Sequence, residues 1–350
     1  MIAACPDAGL SGGGIVRRSR MKVGVIGAGA IGGTLAALLD RAGHSVDVAV
    51  RGERLAAIRA RGLRLTGRWG EHRAPVAAGE RLASVPDLAL LCVKAQDEGE
   101  ALGANEAALA GVPLVVVQNG LDGAAGARAH TGPVIGAIAF FSADCPVPGE
   151  SRVLVPGPLY LGSGTEPPSA EAADAARALS TGIPCRAVAN FAGCQWTKLV
   201  VNQINAMPAI TGLSVQETLA DPALRRIILA SMREALRTGR REGIAFGSLD
   251  GMPSLALGLL RSAPAPVGNA LLRLMGRRLG REPVLGSTLQ SVQRGLPTEI
   301  DHLNGAIVDR ARARGADAPV NAAMTELVHE VERDHRFRTP HEVARGIRLR

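Results

Sequence analysis

From Met21 onward, short apolar runs alternate with stretches whose apolar positions recur every three or four residues. Runs 22–26, 46–50, 88–93, 114–118 and 134–139 are short and β-branched or Leu-rich and read as strands, with 88–93 and 114–118 apolar enough to be buried. Helical periodicity fills the intervals, beginning with 30–42, and the alternation predicts an α/β domain with a parallel sheet wound by helices. A Pro- and Gly-rich stretch, 146–168, interrupts it and holds two short runs, 153–155 and 159–161, that read as edge strands or a hairpin before a helix over 170–180. After about residue 190 the strand signal stops. Amphipathic helices are predicted over 195–207, 222–243, two segments within 252–280, then 287–294, 298–314 and 321–333. This change of class predicts four regions: a disordered extension over 1–20, an α/β domain over 21–188, an all-α domain over 189–340 and a tail over 341–350. A chain of 350 residues is long for one core and comfortable for two, so the cleft between domains is the place to look for a site.

Composition changes this picture little. The formal charge of +8 comes from scattered arginines, and with one Tyr and five Phe there is little to stack on bases, so nucleic acid is not an expected partner. The apolar runs are too short to cross a bilayer, and the first twenty residues lack the apolar segment of a signal peptide. Cys5, Cys92, Cys145, Cys185 and Cys194 form an odd set without a CxxC pair, which argues against a disulfide framework or a metal site and for a reducing cytoplasm.

The first chemistry lies where the first strand meets its helix. Gly27-Ala28-Gly29-Ala30-Ile31-Gly32 follows Val23-Gly24-Val25-Ile26 directly. Glycines there permit a tight turn and let a pyrophosphate approach backbone N–H groups at the positive end of a helix, so the domain reads as a Rossmann dinucleotide-binding fold. An NAD site usually ends its second strand in Asp or Glu, to hold the ribose 2′-hydroxyl. Here the strand ends Val48-Ala49-Val50-Arg51, with Asp47 inside it, so Arg51 is expected to pair with a 2′-phosphate and the expected cofactor is NADP.

The second feature is a scarcity. Lys22, Lys94 and Lys198 are the only lysines beside 37 arginines. Lysine is the cation whose pKa burial lowers and which gives up a proton usefully. At helical spacing, Asn202 and Asn205 share a face with Lys198, which places one ammonium and two amides on one stripe of an otherwise apolar helix. A polar cleft is one reading, and a lysine snorkelling at a helix edge is the other.

Four motifs in order then carry a resemblance. Gln195-Trp196-Thr197-Lys198-Leu199-Val200-Val201-Asn202 resembles the lysine helix of the ketopantoate reductases (2-dehydropantoate 2-reductases). Ser287-Thr288-Leu289-Gln290 with Arg294-Gly295-Leu296-Pro297-Thr298-Glu299-Ile300-Asp301-His302-Leu303-Asn304-Gly305 is similar to that family's second signature. Val93-Lys94-Ala95-Gln96-Asp97 and Val117-Gln118-Asn119-Gly120-Leu121 are similar to its two motifs in the dinucleotide domain. The resemblance runs from Met21 to about Glu332 and implies a 6-phosphogluconate-dehydrogenase-like helical domain and NADPH-dependent reduction of a small-molecule 2-oxo acid. It implies that Lys198 is the general acid and that Glu299 helps hold the site. Asn119 would lie between nicotinamide and substrate, Asn202 would contact the substrate, and Ser287 would meet its carboxylate end. Arg51 and Lys94 would lie near the adenosine phosphate and the cofactor cleft.

Two positions depart from the family pattern: Ala206 replaces a second substrate asparagine, and Ser291 stands where many members have Asp. A reductase of another 2-oxo acid and a non-catalytic NADPH-binding sensor are the rival readings, and the intact Lys198, Asn119 and Glu299 weigh against the sensor. A homodimer through the helical domain is the expected assembly to test.

Overall fold

The computed structural model describes residues 20–121, 123–127, 129 and 132–349; the extension expected over 1–20 lies outside them apart from Arg20. The chain runs β1 (Lys22–Ile26), α1 (Ala30–Arg41), β2 (Ser45–Ala49), α2 (Gly52–Arg61), β3 (Leu63–Gly67), β4 (His72–Ala74), β5 (Ala77–Gly79), β6 (Leu88–Leu91), α3 (Glu98–Leu109), β7 (Leu114–Val117), α4 (Gly123–Ala127) and β8 (Val134–Ala139). It continues through β9 (Ser142–Asp144), β10 (Glu150–Val155), β11 (Leu159–Gly162), α5 (Ala170–Leu179) and β12 (Cys185–Ala187). From there it is helical: α6 (Phe191–Asn202), α7 (Ala206–Thr211), α8 (Val215–Ala220), α9 (Pro222–Arg241), α10 (Ser254–Ser262), α11 (Ala265–Arg278), α12 (Ser287–Gln293), α13 (Ala306–Ala313), α14 (Pro319–Asp334) and α15 (Pro340–Gly346).

The main sheet has the order β12-β11-β8-β7-β6-β1-β2-β5. From β8 to β5 neighbouring strands are parallel, whereas β11 runs antiparallel to β8. The central strands are buried along their length, as their unbroken apolar sequence requires. β1 sits between β2 and β6, so the tips of those two strands flank the loop that leaves β1.

The predicted hairpin over 153–155 and 159–161 is not formed: β10 belongs to a second sheet, order β4-β3-β10-β9, while β11 joins the main one. The second sheet explains the composition of α1, whose residues from Gly32 to Leu39 are all buried. A helix apolar on every side needs cover on every side, and α1 lies between the two sheets. Gly33 marks the contact, because a Cβ there would lie 2.3 Å from Ser151 Oγ.

The helical domain is built around α9, which Asp221 caps by accepting from the N–H groups of Ala223 and Leu224, with Pro222 at the first helical position. Leu224, Ile227, Ile228, Met232, Ala235 and Leu236 face the shared core. The tail expected over 341–350 is corrected: α15 docks on this core through Val343 and Ile347, two apolar residues at helical spacing. Thr339 and Glu342 form a reciprocal cap that begins the helix.

Candidate active site

The glycines of the first loop divide their work. Gly27 has φ +94° and its N–H donates to Ala49 O at 2.9 Å, and a Cβ there would come within 2.8 Å of Val93 Cγ1. A Cβ on Gly32 would fall 1.9 Å from the Gly27 carbonyl oxygen, so only glycine lets α1 start this close to the loop. Gly29 has nothing within 4 Å of the Cβ position, which leaves an open cradle beside the first backbone N–H groups of α1. Ala28 is buried, while Ala30 and Ile31 form the first turn. One glycine for the turn, one for approach and one for packing is the division that a bound pyrophosphate needs.

In the middle of β2, Asp47 is buried and accepts from Ala83 N at 2.6 Å, so it serves the fold rather than a ribose. Arg51 stands at the N-cap position of α2, exposed, and its side chain pairs with Glu100 in the first turn of α3.

Lys198 lies on α6 with its ammonium 5.1 Å from the centre of the Phe140 ring. Burial lowers its pKa to about 8, and no carboxylate among the described residues pairs with it. One turn on, Asn202 is buried and donates from Nδ2 to Asn119 Oδ1 at 3.3 Å; Asn119 in turn donates to Glu299 Oε2 at 3.4 Å. This chain of amides joins α6, the loop after β7 and the turn before residues 301–305. Burial pushes the Glu299 carboxyl up, opposed by its bond from Asn119 and by the charges of Lys94 and His302.

The turn carrying Glu299 is held from both domains. Thr298 N donates to Glu332 at 2.8 Å, Ile300 N to Thr298 Oγ1 at 3.3 Å and His302 N to Glu299 O at 3.0 Å. His329 bridges Glu332 and Asp301 at 2.8 and 2.9 Å. From the other domain Lys94 bonds Pro297 O and, at 3.0 Å, Ser291 Oγ. Residues 301–305 then wind as a single π turn, a form over-represented at functional sites.

The expected continuous stripe on the lysine helix is broken. α6 ends at Asn202 and a 3-10 turn over Gln203–Asn205 precedes α7. Asn205 is thereby turned to Gly286, its Oδ1 only 3.0 Å from where a Cβ would stand, and Ser287 begins α12 exposed beside it. Ala206 is fully buried, so the position of the family's second asparagine faces the core here. The structure thus links Asn202, Asn119 and Glu299, with Lys198 one turn before Asn202 on α6 and against Phe140, sets Asn205 beside Gly286 and Ser287, and brings Lys94 to the domain seam. Arg51 stands apart at the far end of the strand tips. A cleft of about 600 Å³ opens beside Asn119, lined also by Ala95, Gly120, Leu121, His302 and Arg310.

Sequence reasoning missed Phe140 and the Pro297 carbonyl. Phe140 carries a signal in retrospect, being one of five Phe and placed just past the end of β8. A backbone carbonyl carries none.

Residues 23–166 match the family model described as Ketopantoate reductase PanE/ApbA, and residues 190–332 match Ketopantoate reductase PanE/ApbA C terminal. Over 313 residues the chain is 27% identical to the 2-dehydropantoate 2-reductase of Archaeoglobus fulgidus, covering 89% of this chain and 98% of that protein. The PanE/ApbA family ketopantoate reductase from Ralstonia eutropha JMP134 superposes with a TM-score of 0.75 at 31% identity, covering 89% of this chain and 99% of that one. D-mandelate dehydrogenase, solved with NADH and anilino(oxo)acetate, shares the fold with a TM-score of 0.75 at 20% identity, covering 91% of this chain and all of that one.

Proposed function

The chain belongs to the ketopantoate reductase family, and from that premise we propose that it reduces ketopantoate, a 2-oxo acid, to pantoate with NADPH. The observation that carries this reading is the amide chain Asn202–Asn119–Glu299 across the two domains, with Lys198 one helical turn from Asn202. It supplies fixed hydrogen-bond donors, and Lys198 on the same helix a proton donor, the two kinds of group that reduction of a ketone requires.

The open cradle at Gly29 and the N-terminus of α1 would hold the pyrophosphate, and Arg51 a 2′-phosphate. The bound dinucleotide supplies the hydride that adds to C2. As charge develops on the ketone oxygen, Lys198 Nζ donates its proton there and is left neutral. Its burial favours that neutral form, so the same environment that holds the ammonium loosely helps it part with the proton. Asn119, held by Asn202 and Glu299, would hydrogen-bond the substrate beside a bound nicotinamide. Asn202 and Asn205 contact the substrate hydroxyl, Ser287 its carboxylate, and Glu299 keeps the Asn119 amide oriented. Lys94 locks the Glu299 turn to the dinucleotide domain at the rim of the cofactor cleft.

The assembly we propose is a homodimer through the helical domain, which leaves Leu255, Leu259, Val267 and Leu274 exposed on α10 and α11; sedimentation of the full chain tests it.

The test of function is NADPH oxidation against a panel of 2-oxo acids, with NADH in parallel. Ketopantoate with NADPH should give the highest kcat/KM. A different 2-oxo acid turned over faster would reassign the substrate, and equal use of NADH would remove the 2′-phosphate role of Arg51.

A further inference from the structure

The groove between the tips of β2 and β6 holds two opposite charges where one is needed. β2 and β6 lie on either side of β1, so whatever binds the glycine loop after β1 extends its adenosine end between their tips. Arg51, at the start of α2, reaches across that groove to Glu100 on α3. The acidic first turn of α3 does not dictate this contact. Glu98 on the same turn is buried and turned toward Gly126, so Glu100 is the carboxylate of this turn placed against Arg51.

We propose that Glu100 is a specificity-determining residue of the dinucleotide site: it holds Arg51 when no 2′-phosphate is present and so narrows the margin by which a 2′-phosphorylated dinucleotide is preferred. The inference rests on the reading of Arg51 as the phosphate-binding residue.

The physical case follows from exposure and charge. The side chains are 49% and 71% exposed, so the pair is weak and a phosphate displaces it. A phosphate offers the guanidinium two charge-assisted bonds and a greater charge than a carboxylate, so the exchange favours the ligand. Two penalties remain. Arg51 must first be released, and the freed Glu100 carboxylate is left near a dianion in the same groove. Neither penalty applies to a ligand with a plain 2′-hydroxyl, toward which a carboxylate is an acceptor in the manner of the acid that usually ends the second strand. Glu100, on the helix that follows β6, therefore stands in for the acid missing at the Arg51 position.

The experiment uses two fragments that differ only by the 2′-phosphate, adenosine 2′,5′-bisphosphate and adenosine 5′-monophosphate, titrated calorimetrically into the full chain and into Glu100→Gln and Arg51→Ala. Glu100→Gln should tighten the bisphosphate roughly three- to tenfold and leave the monophosphate equal or weaker, a gain that shrinks at high salt. Arg51→Ala should weaken the bisphosphate and spare the monophosphate. If Arg51→Ala weakens the bisphosphate while Glu100→Gln leaves the ratio of the two affinities unchanged, the role of Glu100 is overturned and that of Arg51 stands. If Arg51→Ala leaves the ratio unchanged, the phosphate reading itself is overturned, and the inference with it. A matched melting temperature for Glu100→Gln establishes that the exposed substitution has left the fold alone.

Discussion

Lys198 concentrates the chemistry of the site in one atom, and its surroundings set the pH at which that atom works. The ammonium must be present to donate a proton, so activity is full below its pKa and is lost as pH rises through it. With burial placing that pKa at about 8, kcat should fall through about pH 8 rather than through the ordinary lysine range about two units higher. A profile flat to pH 10 would remove the general-acid role. Lys198→Ala should lower kcat by roughly 10²–10⁴ with little change in NADPH affinity, because the phosphates are held in the other domain. Lys198→Arg should not restore the rate, since guanidinium keeps the charge but holds its proton near neutral pH; near-normal turnover in that variant would leave only an electrostatic anchor. The scarcity of lysine makes this residue legible in the sequence. Phe140 was not legible, because its contact with Lys198 joins positions 58 residues apart and no local pattern records it.

The element scale shows which sequence signals survive folding. Gly27, Gly29 and Gly32 were readable because the strand, the turn and the helix each impose a local rule on the same six residues. Their separate roles give a paired prediction. Gly32→Ala forces a methyl group against the Gly27 carbonyl and should cost about 1–3 kcal/mol of stability as well as cofactor binding. Gly29→Ala meets no protein atom and should leave the melting temperature unchanged while weakening NADPH. Thermal melts and fluorescence titration of both variants check this; equal loss of stability in the two would contradict the assigned roles. The lysine helix was read less well. Its apolar spacing continues past Asn202, so periodicity alone gave one helix over 195–207, whereas the chain tightens at Gln203–Asn205 and swings Asn205 toward Gly286. Likewise 153–155 and 159–161 resemble a hairpin in spacing, but β10 pairs with β3, more than eighty residues earlier, a choice made by the need to cover α1.

At the scale of the whole molecule, the site depends on contacts that tie distant parts of the chain together. α15 packs Val343 and Ile347 into the helical core, so a chain ending at Arg338 should lose about 3–6 kcal/mol and melt at lower temperature. An unchanged melt would return this segment to the status of a tail. The terminal segment carries a helix-start signal, Thr339 and Glu342 at capping-box spacing with Pro340 between them, but it is short, and its partners in α9 and the core around it lie far off in sequence where no local pattern records them. The near absence of lysine also has a bearing on the reactivity of the molecule as a whole. Apart from its amino terminus, a chain with three primary amines offers few targets to an acylating reagent. With burial lowering its pKa to about 8, Lys198 would hold about a tenth of its population as free amine at pH 7, where an unperturbed lysine holds well under a hundredth. Mild acetylation should therefore mark this residue early, silence turnover in proportion to the label, and be slowed by any 2-oxo acid that seats itself against the same nitrogen.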